Sequence, residues 1–286
     1  MTVRMTHLPH RGILEIQGED KAAFLQGLIS NDIYTVTPER VIYAALLTPQ
    51  GRFLYDFFIG EKGNSFFLDV ESTRLESLVK KLTLYKLRSK VILTPRPDLK
   101  IFAVWGEGAA TALGLSEDLG KVCNNAFMDP RLLALGARAV GEAPKIDFQP
   151  ATPQDYDFHR LTLGVPEGGR DLIPERAILL ESGLDELHAI SWTKGCYMGQ
   201  ELTARTKYRG LVRKRLFPVT IEGEAPAEGT EIFSEGNSVG EMRSHNNAYG
   251  LALLRVEAVQ TQKEFVCGNA LLKPYIPVWM RLEDPS

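Results

Sequence analysis

Along the first ninety residues, apolar and polar positions follow the periods of strands and helices in turn. Residues 13–18 (ILEIQG) alternate as a half-buried strand does, and Glu19 and Asp20 follow where a helix dipole favours negative charge. Three further runs have the composition of strands and precede a second amphipathic helix. These runs are 41–47, 53–59 and 66–70, the first two joined by the turn-forming residues 48–51 (TPQG). The pattern predicts a sheet packed against helices.

A second strand–helix unit begins at residue 101. Residues 101–106 (IFAVWG) align with 13–18 so that Gly106 meets Gly18, 88 residues earlier, and an Ala-rich helix is predicted to follow. This weak internal repeat predicts two similar α+β halves, roughly 1–95 and 96–210. The alternative is chance similarity between two common strand–helix turns.

The sequence pattern changes after Arg215. Short strand-like runs separated by Gly, Pro, Asn and Ser follow, at 216–221, 231–233, 238–242, 251–255 and 269–272. Such spacing is typical of a small barrel or sandwich. The fold class is therefore α+β, with a body over 1–210 followed by a C-terminal β-domain over 211–286.

Composition narrows the function classes. The net charge of -3 argues against a general nucleic-acid binder. The three cysteines, Cys123, Cys196 and Cys267, form no CxxC pair, which excludes a disulfide framework and a self-contained zinc site. No apolar run approaches the roughly 18 residues of a membrane span, and the first residues lack a signal-peptide pattern. We expect a cytoplasmic bacterial protein, or a mitochondrial matrix protein if the source is eukaryotic.

Chemistry is concentrated in the segment KGCYMGQE, in which the central thiol belongs to Cys196. Glycines on both sides permit positive φ and close approach of another body. A helix is predicted to begin near Gly199, since Glu201 and Arg205 have i,i+4 spacing. The helix start and the neighbouring Lys194 both favour the thiolate. The alternative is a small buried hydrophobic residue.

A single thiolate restricts the mechanism. Nothing places His159 or His188 on the sulfur of Cys196, so a cysteine-hydrolase mechanism has no support. An iron–sulfur cluster needs about four protein ligands, which this chain does not supply by itself. The natural inference is a labile cluster shared across an interface, with Cys196 as the metal ligand from this chain.

A basic run follows the thiol. Six cations lie within eleven residues without an acid, at Arg205, Lys207, Arg209, Arg213, Lys214 and Arg215. They form either a solvated face or a docking surface for an acidic protein, a polyanionic cofactor tail or nucleic acid. The near-neutral net charge makes nucleic acid the weakest of these.

Several segments together resemble the YgfZ-type folate-binding proteins, relatives of the glycine-cleavage T-protein, an aminomethyltransferase. The pattern is similar to the mitochondrial and alphaproteobacterial branch, the IBA-type iron–sulfur cluster assembly factors. The matching segments are 24–32 (FLQGLISND), 51–59 (GRFLYDFFI), 164–175 (GVPEGGRDLIPE), 179–187 (LLESGLDEL), 194–201 (KGCYMGQE) and 202–219 (LTARTKYRGLVRKRLFPV).

The resemblance implies a T-protein-like fold, with a folate-binding body and a C-terminal β-barrel. It implies a factor for [4Fe–4S] maturation that shares a transient cluster with an A-type scaffold protein. It assigns cluster handling to the motif residues Lys194, Gly195, Cys196, Tyr197, Gly199, Gln200, Glu201 and Arg205. Partner docking falls to the remaining cations, Lys207, Arg209, Arg213, Lys214 and Arg215.

The resemblance also makes tetrahydrofolate a candidate ligand, with Asn31, Tyr55, Asp56 and Arg160 as candidate folate-binding residues. The family's transferases have an acidic pair where this chain has Tyr55-Asp56, and a glutamate where it has Thr162. A carboxylate suits the adjacent donors of a pterin, so both departures weaken folate binding. We therefore favour an assembly factor, with a tetrahydrofolate-dependent one-carbon transferase as the alternative and a nucleic-acid binder as the second alternative.

Overall fold

The computed structural model describes residues 2–210 and 212–282. Its strands form two open sheets and a closed barrel. The strands are β1 (Arg4–His7), β2 (Arg11–Gln17), β3 (Ile42–Leu47), β4 (Phe53–Lys62), β5 (Ser65–Glu71), β6 (Ile92–Pro95), β7 (Lys100–Trp105), β8 (Val122–Cys123), β9 (Ala126–Met128), β10 (Ala137–Gly141), β11 (Gln149–Pro150), β12 (Lys214–Glu222), β13 (Glu231–Ser234), β14 (Asn237–Asn246), β15 (Tyr249–Arg255), β16 (Phe265–Cys267) and β17 (Ala270–Pro274). The helices are α1 (Lys21–Gln26), α2 (Leu75–Lys86), α3 (Ala109–Ala112), α4 (Pro153–Thr162), α5 (Gln200–Tyr208) and α6 (Val256–Thr261).

The first sheet has the order β3-β4-β5-β2-β6. It contains all four strands predicted before residue 71, and helices α1 and α2 pack on it through Leu25, Leu78 and Leu82, which are buried in the same core as Leu14. The predicted turn between β3 and β4 is confirmed, because the Gly51 N–H donates to a carbonyl three residues earlier at 2.9 Å. Antiparallel pairing runs through the sheet.

The second sheet has the order β11-β1-β7-β10-β9-β8. Strand β1 pairs antiparallel with β7, so the first strand of the chain lies in the second sheet. The two repeat glycines play the same part: Gly18 has φ +117° and Gly106 has φ +97°. A Cβ would lie 1.9 Å from the Lys90 oxygen at Gly18 and 2.3 Å from the Thr2 oxygen at Gly106. Each strand end is therefore crossed closely by another segment, while the helix after Gly106 has only four residues.

A buried ionic network joins the two sheets. Asp69 on β5 accepts hydrogen bonds from Arg11 Nε at 2.7 Å and from Arg138 Nη1 at 2.8 Å, and β10 of the second sheet carries Arg138. Asp129 pairs with Arg131 at 2.8 Å in the same interior. Buried charges are tolerated only when they are paired and hydrogen-bonded, so this network fixes how the sheets face each other.

Phe58 on β4 lies at the centre of that network. The guanidinium carbons of Arg138 and Arg131 stand 4.1 and 4.9 Å from the centre of its ring. Desolvated cation–π contacts of this kind are worth about 2 kcal/mol each. An aromatic ring thus packs between charges where a solely apolar core would be expected.

The C-terminal domain is the predicted barrel, closed in the order β12-β15-β14-β13-β16-β17. The sequence did not predict β16, which has only three residues. The barrel packs on the end of α4, where Tyr275 Oη donates to the Thr162 carbonyl at 2.9 Å and Trp279 Nε1 donates to the Leu163 carbonyl at 2.8 Å. The division of the body into halves and the 210/211 boundary stay predictions, and Leu211 lies outside the described residues.

Within residues 2–210 and 212–282, the helices are all too short or too polar to span a bilayer.

We predict that Asp69→Asn destabilises the protein by about 3–5 kcal/mol, because it leaves two buried guanidinium groups without their shared carboxylate. Urea unfolding of the full chain measures the change. The matched control is Glu76→Gln, which removes the exposed carboxylate 2.6 Å from Lys80 and should leave the unfolding midpoint unchanged. Equal midpoints for the two variants would contradict the role given to Asp69.

Candidate functional site

Cys196 lies on a loop that is held at both ends against the segment after α1. The Ser191 N–H donates to the Ser30 carbonyl and the Met198 N–H donates to the Gly27 carbonyl, each at 3.0 Å. Between these anchors the thiol of Cys196 is exposed. The alternative of a small buried hydrophobic residue is therefore wrong, and the loop presents its sulfur to solvent on a fixed backbone.

Lys194 anchors the same loop to the segment at the end of α1. Its ammonium donates to the carbonyl oxygens of Gln26, Ile29 and Asn31 at 2.8, 2.7 and 2.8 Å, which uses all three of its N–H bonds. Burial lowers the pKa of Lys194 to about 8, while the charge of Asp32 acts in the opposite direction. The effect of Lys194 on the thiol stays a prediction, while its three donors are committed to the end of α1. Lys194 thereby positions the loop.

The two glycines of the motif have different roles. Gly199, with φ +81°, immediately precedes α5, and a Cβ there would lie 2.4 Å from the Thr48 oxygen. Gly51 in the facing turn is equally confined, since its Cβ would lie 2.5 Å from Leu202 Cβ. Gly195 needs no positive φ and has nothing within 4 Å of a Cβ position. The positive φ that glycine permits is thus found at Gly199 and not at Gly195, and close approach of another body at Gly195 stays a prediction.

Helix α5 starts at Gln200, as the sequence predicted, so the thiol lies four residues before the first helical residue. The Gln200 Oε1 accepts the Tyr197 N–H at 3.1 Å and closes the turn that enters the helix. The Tyr197 ring packs against the core cluster behind the first sheet. Glu201 and Arg205 are exposed on the helix. The predicted motif residues therefore form one continuous loop–helix unit.

The other two cysteines lie elsewhere in the fold. Cys123 is half-buried on β8, and Cys267 is buried in the barrel, where burial raises the pKa of its thiol to about 11. In the part of the chain that the structure describes, no three His, Cys, Asp or Glu side chains are grouped so that they could hold a metal ion. The described residues therefore offer Cys196 as a single potential ligand and no set that could enclose a metal ion.

The basic run divides into exposed and structural members. Lys207 pairs with Asp185 at 2.6 Å and lies 5.3 Å above the Trp192 ring. Arg209 and Arg213 are exposed, whereas Lys214 is half-buried. These side chains line one groove between the end of α5 and the barrel, with a volume of about 1240 Å³.

Arg215 departs from the docking prediction. It is 7% exposed and donates to Glu186 Oε1 at 2.7 Å and to the Arg281 carbonyl at 3.2 Å. Because its charge is paired in the floor of the groove, Arg215 joins the body to the C-terminal segment. The prediction that it contacts a partner is replaced by this structural role.

Two of the candidate folate-binding residues form hydrogen bonds to neighbouring residues of the chain through their polar side-chain atoms. Asn31 Nδ2 donates to the carbonyls of Tyr43 and His188 at 2.8 and 2.9 Å. Tyr55 Oη donates to Ser77 Oγ at 2.9 Å. Both therefore tie local segments together.

Asp56 is 5% exposed, and its Oδ2 accepts the Tyr43 hydroxyl at 2.7 Å. A Cβ on Gly168 would lie 1.6 Å from Asp56 Oδ1, so the backbone of the 164–175 segment covers this carboxylate. Asp56 therefore faces the interior of the body and not solvent. The sequence alone could not show that a segment more than a hundred residues away closes over it.

Arg160 is also buried, and its guanidinium pairs with Asp171 at 2.6 Å and with Asp157 at 2.7 Å. Thr162 turns its hydroxyl back to the His159 carbonyl at 2.7 Å. Among the described residues, none of the four folate candidates lines the groove. Of the four, Arg160 links α4 to the 164–175 segment through Asp171 and to the barrel through Ser244 Oγ at 3.4 Å.

Two exposed aromatic side chains beside the basic run were not predicted as part of the site. Trp192 and Tyr208 are 36% and 78% exposed and meet edge to face, with ring centres 6.3 Å apart. Aromatic and arginine side chains are enriched at protein interfaces. The signal in the sequence was the interleaving of aromatic residues with cations between 192 and 209.

We predict that Gly199→Ala lowers the free energy of unfolding by about 1–3 kcal/mol, because the new Cβ meets the Thr48 carbonyl and the residue must keep a positive φ. Gly195→Ala is the matched control and should change it by less than about 0.5 kcal/mol, since its Cβ enters open space. Chemical denaturation of both variants provides the measurement. A loss at position 195 as large as that at 199 would refute this assignment.

Known proteins share the architecture of this chain. The family model of the CAF17 C-terminal β-barrel domain matches residues 213–282. The glycine cleavage system aminomethyltransferase T of Bartonella henselae superimposes with a TM-score of 0.77 and 14% identity, over 98% of this chain and 86% of that one. This likeness confirms the expected T-protein-like fold and shows the fold alone.

Sequence relatives carry more information. The mouse (Mus musculus) protein named "Iron-sulfur cluster assembly factor IBA57, mitochondrial" is 37% identical over 278 residues, which cover 88% of this chain and 78% of the mouse protein. The human protein (Homo sapiens) of the same name is 37% identical over 277 residues, with the same two coverages. At this identity over most of both chains, the protein belongs to the family of IBA57 iron–sulfur cluster assembly factors.

Proposed function

We propose that this protein assembles iron–sulfur clusters for [4Fe–4S] proteins and that Cys196 is its ligand for a cluster shared with a partner. The observation that carries the proposal is the exposed thiol of Cys196 on a loop fixed at both ends. Membership in a family named for iron–sulfur cluster assembly supports the same role. The cluster is cargo that the protein handles and passes on.

One cysteine suits a transient role. Iron binds the thiolate, so the Cys196 thiol loses its proton when the bond forms. With about four ligands needed for a cluster, the partner supplies the remainder, and the cluster leaves when the partner dissociates. The fixed loop stabilises this arrangement because little backbone freedom is lost on binding.

The partner we propose is an A-type scaffold protein, which meets the face that carries Cys196, Glu201 and Arg205. Lys207 in the last turn of α5 and the cations Arg209, Arg213 and Lys214 that follow the helix extend the proposed contact. Rim charges of this kind chiefly accelerate and orient encounter with an acidic partner. The compartment we propose is the bacterial cytoplasm, or the mitochondrial matrix if the source is eukaryotic, as in the names of the relatives.

The transferase alternative finds no open site at the candidate residues. Asp56 is covered by the backbone at Gly168, and the hydroxyl of Thr162 is bonded within its own helix. Tetrahydrofolate would have to break the Tyr43–Asp56 hydrogen bond to use that carboxylate. Nucleic acid remains the weakest candidate partner, given the net charge of -3.

We predict that Cys196→Ser abolishes the shared cluster. After anaerobic reconstitution with the scaffold protein, wild type should give the visible absorption of a cluster that co-elutes with both proteins, and Cys196→Ser should give none. Cys123→Ser, at a half-buried thiol on β8, is the matched control and should behave as wild type. Cells that carry only Cys196→Ser should lose [4Fe–4S] enzyme activity, and normal aconitase-type activity in them would refute the proposal.

A separate prediction concerns folate. Titration calorimetry with tetrahydrofolate and its polyglutamate should show no binding up to millimolar ligand, because the carboxylate that would hold the pterin is buried and already bonded. Saturable binding by wild type would restore the transferase alternative.

A further inference from the structure

The groove between α5 and the barrel is positively charged in a protein whose net charge is -3. Its lining contains seven cations and three carboxylates. The cations are Lys207, Arg209, Arg213, Lys214, Arg215, Arg255 and Arg281, and the acids are Asp185, Glu186 and Glu257. A cleft lined by one sign of charge concentrates its field and attracts the opposite charge.

Among the described residues, two of these seven cations form ion pairs with carboxylates of the groove. Lys207 pairs with Asp185, and Arg215 pairs with Glu186. Within residues 2–210 and 212–282, no acid lies within 4.0 Å of the five other cations, Arg209, Arg213, Lys214, Arg255 and Arg281. Glu257 is the single lining carboxylate outside the two pairs, so a net positive charge faces the groove.

The groove is also partly apolar. Trp192 stands at its rim beside the exposed ring of Tyr208, and Trp279 and Leu282 contribute from the C-terminal segment. Tryptophan, tyrosine and arginine are the side chains that most often contribute the largest share of the binding energy at protein interfaces. An occupant should therefore carry large apolar side chains as well as negative charges.

This mixture favours a peptide over a nucleic acid. The carboxylate of Glu257, which lies outside the two ion pairs, stands among the cations, where it would repel a continuous phosphate backbone. A peptide places discrete carboxylates between neutral residues, and its backbone N–H groups suit the lining acids. The chemistry of the groove thus matches an acidic, partly apolar segment of a protein.

Groove and thiol lie at opposite ends of one helix. The Cys196 loop enters α5 at Gln200, and the groove begins at Lys207 near its other end. The nine residues of α5 extend about 13 Å, at the usual helical rise of roughly 1.5 Å per residue. A partner whose body meets Cys196 can therefore reach the groove with a short extended segment.

We propose that this groove binds an extended acidic segment, carrying at least one large apolar side chain, of the protein that shares the cluster at Cys196. The inference rests on the proposed function for the identity of that protein. A single cysteine–iron bond gives a labile junction, and a second contact on the same partner makes re-binding intramolecular and raises the effective concentration at the thiol.

Charge reversal in the groove tests the proposal. Arg255→Glu combined with Arg281→Glu changes two exposed side chains without touching the loop of Cys196. The control combines Arg88→Glu with Lys263→Glu, which are exposed, lie outside the groove and give the same change in charge. The probe is a fluorescein-labelled twelve-residue peptide of Glu, Asp, Leu and Phe, followed by anisotropy at low and physiological salt.

Wild type, the control and Cys196→Ser should bind this peptide equally, and the groove variant should bind at least about tenfold more weakly, in keeping with loss and reversal of two charge contacts. Equal affinity of the groove variant and wild type would overturn the proposal. A twenty-nucleotide oligothymidylate is tested in the same way. If wild type bound it more tightly than the peptide, and the groove variant lost that binding, the peptide proposal would be overturned in favour of nucleic acid.

The scaffold protein separates this proposal from the cluster proposal. Apo scaffold should bind Cys196→Ser almost as well as wild type and should bind the groove variant at least about tenfold more weakly. If a Cys196→Ser complex still held the cluster, the role of Cys196 would fail while the peptide result for the groove stood. If apo scaffold and peptide bound the groove variant normally, the groove assignment would fail while Cys196 remained a ligand.

Discussion

The structure of the body depends on one carboxylate, that of Asp69, which is shared by an arginine from each sheet. Arg11 belongs to the first sheet and Arg138 to the second, and both are fully enclosed with their common acid. Because an unpaired charge in that interior is very costly, the two sheets can meet in few other orientations. The cysteine loop is held by the first of these sheets, through the turn after β3 and the segment after α1.

Much of the fold could be predicted from local pattern. The strands around 13–18, 41–47, 53–59 and 66–70 were predicted because alternation and turn residues are visible in short windows. Strand β16 was missed because three residues are too few to show a period. Strand β1 joins the second sheet by pairing with residues about a hundred positions later, and no local pattern records such a choice.

The sequence indicates where the candidate site lies, but not which contacts each of its side chains makes. The motif around Cys196 and the helix start at Gln200 follow from glycine placement and spacing. The acceptors of Lys194 are carbonyls more than 160 residues earlier, so its role as an anchor was invisible in the sequence. The same holds for Arg215 and Asp56. The sequence does not distinguish a charged residue that binds a ligand from one that pairs with a buried group of the same chain.

The contact between Gly51 and the start of α5 has a mechanical consequence. Two bare backbones in contact leave no compressible layer, so the cysteine loop moves as one piece with the edge of the first sheet. The barrel is joined to the body by other contacts, among them the hydrogen bonds of Tyr275 and Trp279 to carbonyls at the end of α4 and the ion pair of Arg215 with Glu186. A partner that binds both Cys196 and the groove would therefore contact one surface fixed by the first sheet and another fixed by the barrel.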